Sequence, residues 1–91
     1  MKKFIVEREI PGLGKLSKEE LQAITQKSNG VLDGLDAPYH WAQSFVTGDK
    51  MYCIHIAPDE ETVREHARRG GFPADRVAEV TDFIDPTTTG A

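Results

Sequence analysis

Residues 50–72, KMYCIHIAPDEETVREHARRGGF, read as a strand, a tight turn and a helix in immediate succession, and the rest of the chain has to be arranged around them. Residues 51–57 are β-branched, aromatic or otherwise strand-compatible, and Pro58 then removes a backbone donor and stops the ladder. A helix is predicted over 59–69. Asp59 can cap it, Glu60 and Glu61 put negative charge at the positive end of its dipole, and Arg64, Arg68 and Arg69 lie toward the other end before Gly70 and Gly71.

This block and its flanks make two strand–helix–strand units. Residues 3–10 form a first strand with Phe4 and Val6 on one face and Ile5, Glu7 and Glu9 on the other, because side chains alternate along a strand. Pro11, Gly12 and Gly14 end it. Ser17 with Glu20 is a capping box, and Leu21, Ile24, Ser28, Val31 and Leu35 recur at helical spacing, so a helix over 18–35 is expected to run through Gly30. After Pro38, residues 40–46 are the second strand, and Thr47-Gly48-Asp49 turns the chain into the third. The second helix has only a thin stripe, Val63, His66, Ala67 and Gly70, to lay on a sheet. A last strand is expected over 78–84, and residues 85–91 close the chain as a loop or tail.

This order is the βαββαβ pattern of a ferredoxin-like α+β sandwich: one domain over 1–91, with a four-stranded antiparallel sheet and both helices on one face. Phe4 and Val6 should face the helices. In the third strand Tyr52, Ile54 and Ile56, an uninterrupted apolar set, should do the same. The open face would then carry Ile5, Glu7 and Glu9 beside Met51, Cys53, His55 and Ala57. A face of that mixed character is expected to be covered by a second copy, giving a homodimer of the dimeric α/β barrel type.

The 91 residues suit one small domain, marginal enough that burying a further face helps. With 11 basic and 15 acidic residues the formal net charge is −4, and the basic residues form no run with interleaved aromatics, which argues against nucleic acid. Glu7 and Glu9 interrupt the N-terminal apolar residues, so neither a signal peptide nor a membrane span is expected. The single cysteine cannot pair within the chain and fits a reducing cytoplasm.

VEREIPG near the start, SFVTGDKMYCIHIAPDEETVREHARRGGFPADR in the middle and EVTDFIDPTT toward the end resemble a widespread family of small bacterial domains of unknown function, one member of which is described as a nickel-binding protein. The resemblance spans nearly the whole chain and implies a ferredoxin-like fold, a homodimer and binding of nickel or another divalent transition metal.

The residues offer one constellation for such chemistry. Cys53 and His55 would share a strand face, and Glu7 and Glu9 on the neighbouring strand would add oxygen donors. Imidazole and carboxylate suit nickel, zinc or copper. The expected ligands are His55 first, Glu7 and Cys53 beside it, and Glu9 and His40 at the periphery. The spacing lacks the paired-ligand motifs of a structural zinc site. The bland alternative makes Cys53 a buried hydrophobe, His55 a hydrogen-bonded interface residue, and the glutamates partners of Arg8 or a lysine. His66 reads as a hydrogen-bonded core residue and becomes the metal candidate only if His55 is not a ligand, and His40 with Tyr39 and Trp41 forms an aromatic cluster that could line a ligand pocket but reads first as core or dimer packing. There is no nucleophile elbow, phosphate loop or Cys-His pair with a third member. A metal-binding protein is therefore preferred. A cofactor-free monooxygenase or isomerase of the dimeric barrel class, or a structural interaction domain, is the alternative.

Overall fold

The computed structural model describes residues 1–90; Ala91, the end of the expected tail, lies outside the described residues. Strand β1 spans Lys2–Glu9, helix α1 Lys18–Asp33, strands β2 and β3 His40–Val46 and Lys50–Ala57, helix α2 Glu60–Gly70, and strand β4 Arg76–Val80. The sheet order is β2-β3-β1-β4, every neighbouring pair is antiparallel, and the helices lie over the face that carries Phe4 and Val6. This is the ferredoxin-like sandwich expected from the element order.

Local signals set most boundaries. Both halves of the Ser17/Glu20 capping box form, at 3.1 and 3.0 Å, and α1 continues through Gly30 before ending at Gly34. Asp59 accepts the Thr62 backbone N–H at 2.8 Å, and Gly71 ends α2 in the left-handed region at φ 67°, which favours glycine. The β1–α1 connection, including a 3₁₀ turn at Leu13–Lys15, lies against the β2–β3 hairpin: Gly14 N–H donates to the Gly48 carbonyl at 2.9 Å. A Cβ on Gly14 would come within 2.9 Å of the Gly48 Cα, so this approach requires glycine.

Three expected boundaries are corrected. Leu35 falls outside α1. The last strand is Arg76–Val80 rather than 78–84, because Val80 already pairs with Lys3, one residue from the start of β1, and β1 is nearly exhausted at that point. Residues Pro86–Thr89 form a 3₁₀ turn rather than an irregular tail.

The parity of β3 is corrected as well. Directly opposed residues in an antiparallel pair share a face, and Phe4 opposes His55, Val6 opposes Cys53 and Arg8 opposes Met51. Met51, Cys53, His55 and Ala57 are therefore the helix-facing, buried set. Tyr52, Ile54 and Ile56 lie on the open face with Ile5 and Glu7. Alternation could not decide this, since β3 is largely apolar on both sides. Register decides it, through the hairpin and the β1 pairing.

Candidate functional site

Helix α1 covers the sheet incompletely. Its stripe of Leu21, Ile24 and Val31 is only half-buried, and Ser28 is its one buried residue. Beneath it is a cavity of about 200 Å³. Leu21 and Ile24 of α1, Trp41 and Val46 of β2, Met51 of β3 and Phe72 after α2 form its apolar walls. Its polar groups are few: Arg8, Ser28, Cys53, His55 and His66 among them.

His55 is inward by the register of β3, and His66 by the stripe of α2, where it lies with Val63, Ala67 and Gly70. Each has a relative exposure of 1%. Gly70 leaves the space into which the Phe72 ring folds back, because a Cβ there would overlap that ring. The rings of His55 and His66 are 5.3 Å apart, and Phe72 lies 5.7 Å beyond His66.

Hydrogen bonding in this group is half complete. The Tyr39 hydroxyl is 2.7 Å from His55 Nδ1, and the Ser28 hydroxyl is 3.1 Å from His66 Nε2. His55 Nε2 and His66 Nδ1 are fully buried and have no hydrogen-bond partner among the described residues. Burial, reinforced by the charges of His66 and Arg8, pushes the His55 pKa down to about 3. Burial and Arg8 push His66 down to about 4, against the opposing effect of a hydrogen bond with the Ser28 backbone. Both imidazoles are neutral at neutral pH. Burial raises the Tyr39 phenol well above its usual range, so it stays protonated.

Arg8 is 3% exposed. Its Nε donates to Cys53 Sγ at 3.4 Å and its Nη1 to the Pro73 carbonyl at 2.6 Å, and its guanidinium carbon stands 5.6 Å from the centre of the Phe72 ring. Neither hydrogen-bond partner is a carboxylate.

Of the five residues expected to hold a metal, only Cys53 and His55 are brought together. Glu7 is on the opposite face of the sheet, 2.9 Å from Lys50 Nζ, and exposed Glu9 is 3.9 Å from the same nitrogen. His40 is exposed and opposes Ile56 on the open face. The glutamates thus serve as lysine partners. Among the described residues no three His, Cys, Asp or Glu side chains converge as a metal site. The cavity brings the imidazoles of His55 and His66 and the thiol of Cys53 to one lining. The sequence names His66 only as the candidate if His55 binds no metal and Tyr39 only within an aromatic cluster, and it does not single out Ser28 or Arg8, although Arg8 continues the inward parity of Phe4 and Val6. The arginines of α2 have no part in the cavity: Arg64, Arg68 and Arg69 pair with Glu60, Glu61 and Glu65.

The chain matches the family described as nickel responsive protein SCO4226-like over residues 4–80. No curated protein matches it. Among solved structures it is similar to SCO4226 from Streptomyces coelicolor A3(2), with a TM-score of 0.75, 22% sequence identity, and coverage of 90% of this chain and 99% of that one. That likeness establishes a shared fold.

Proposed function

Because this chain belongs to the nickel responsive protein SCO4226-like family, we propose that it is a small, non-catalytic binding protein whose binding element is the cavity under α1. The observation that carries this reading is the pair of buried imidazole nitrogens, His55 Nε2 and His66 Nδ1, that have no partner among the described residues. An orphaned buried polar atom costs roughly 1–3 kcal/mol, and two of them at one cavity mark a place where a ligand supplies what the fold does not. Neutral imidazole is the form that binds divalent nickel. In this reading His55 and His66 are the nitrogen donors, and the other coordination positions fall to donors from outside the chain. Glu7, Glu9 and His40 have no role.

The same reading includes a homodimer built on the open sheet face and a cytoplasmic location. Ile5 and Phe45 are exposed there, at 39% and 50%, next to the half-buried Tyr52, Ile54 and Ile56. A largely apolar face on a chain this small is stabilised by burial against a second copy. Cys53 is a free, buried thiol, which suits a reducing compartment, and no helix among the described residues is long and apolar enough to cross a membrane.

The test is calorimetric uptake of nickel by protein purified without a histidine tag, comparing His55→Gln, His66→Gln and Glu7→Gln. The expected result is at least tenfold weaker uptake in both histidine variants and no change in Glu7→Gln. No uptake by the unaltered protein would favour a second reading, a small cofactor-free enzyme of the dimeric barrel class. The Tyr39–His55 pair beside an apolar cavity is the observation in its support, since such a pair can hold or move a proton.

A further inference from the structure

We propose that the cavity under α1 is a receptor site for a small organic monocarboxylate with an aromatic or branched apolar body, its carboxylate paired with Arg8. This goes beyond nickel uptake and does not depend on it.

The countercharge argues first. Among the described residues the surface arginines Arg64, Arg68 and Arg69 each hold a glutamate, whereas Arg8, buried at 3% exposure, holds none. Its Nε and Nη1 are used by Cys53 and Pro73, and its Nη2 makes no hydrogen bond within the described residues. A buried guanidinium without an anion carries a desolvation penalty that attraction to an anion would offset. Arginine's planar fork suits a carboxylate in particular.

Size and wall chemistry then define the rest of the ligand. An apolar protein cavity of about 150 Å³ accepts benzene. The present cavity, about 200 Å³, has room for a ring or branched chain of that size plus one carboxylate. Ile24, Trp41, Met51 and Phe72 offer the body an apolar surround. The two unpartnered imidazole nitrogens can meet the second carboxylate oxygen or a hydroxyl on the body, as donor or acceptor according to tautomer. A dicarboxylate would bring a second charge against walls that are otherwise largely apolar, and a nucleotide exceeds the volume.

Trp41, the sole tryptophan, lines the cavity and reports on its occupancy. Full-length, chelator-treated protein would be titrated with benzoate, cyclohexanecarboxylate and isobutyrate, and with the corresponding neutral amides, following Trp41 fluorescence and heat. The expected result is that at least one acid binds, at least tenfold more tightly than its amide, and that Arg8→Gln abolishes this preference while Arg64→Gln retains it. Equal binding of acid and amide would overturn the proposal, as would no response to any acid at millimolar concentration. The acid–amide comparison is made on the unaltered protein and decides the matter even if Arg8→Gln fails to fold.

Discussion

The Tyr39 hydroxyl lies 2.7 Å from His55 Nδ1, with the two rings edge to face at 5.3 Å. Burial keeps the phenol protonated, and its oxygen can accept from Nδ1–H, the tautomer that leaves the lone pair on Nε2 for a metal, or its O–H can donate to Nδ1, the tautomer that makes Nε2 a donor. Tyr39→Phe would leave His55 with both nitrogens unsatisfied. The expected loss is about 1–3 kcal/mol of folding stability, read by urea denaturation at pH 7. An unchanged midpoint would mean that the bond contributes nothing.

Acid should destabilise the fold earlier than its carboxylates alone would. Both imidazoles stay neutral in the folded chain until the pH approaches about 3 for His55 and about 4 for His66, whereas in the unfolded chain they protonate below about 6.5. The unfolded state therefore binds more protons between these values, and stability falls as pH falls through that window, by about 1.4 kcal/mol per pH unit for each imidazole. From pH 6.5 to 5 the loss is on the order of 4 kcal/mol. His66→Gln should flatten the slope of stability against pH by roughly half. Equal stability at pH 7 and pH 5 in the unaltered protein would contradict the neutral imidazoles.

Gly70→Ala should displace Phe72. The added Cβ would overlap the ring, so the ring must leave its place beside His66 and Arg8. Overpacking of this kind costs about 1–3 kcal/mol, despite alanine's advantage of roughly 1 kcal/mol over glycine within a helix. Thermal unfolding gives the sign: a higher melting temperature in Gly70→Ala would show that Phe72 yields freely.

Ile5→Lys tests the dimer. Ile5 opposes Ile54 on β3 and Ala78 on β4, at the centre of the open face. A lysine there would place a charge in the proposed interface without an evident partner, and dissociation should rise at least tenfold in analytical ultracentrifugation. As a monomer the variant should remain folded, since Ile5 is no part of the core under the helices. Light scattering that gives only monomer mass for the unaltered protein at micromolar concentration would exclude this dimer.

The sequence by itself determined the elements and their order. Ser17 with Glu20, Asp59, Gly71 and the turn at Thr47-Gly48-Asp49 act within a few residues of themselves, so capping and turn chemistry locate both helices and the hairpin without tertiary information. Element order then determined the ferredoxin-like sheet. The site was not legible in this way. Whether His55 faces Phe4 or Glu7 depends on the register of β3 against β1, and a one-residue change of parity moves every side chain of β3 to the other face. With apolar residues on both sides of β3, no pattern in the chain could fix that choice. Nor could sequence spacing bring Arg8, His55 and His66 around one cavity. They lie on β1, β3 and α2, and only the packing of α2 on the sheet, with α1 standing partly clear of it, puts a buried guanidinium and two unsatisfied imidazoles in the same apolar space.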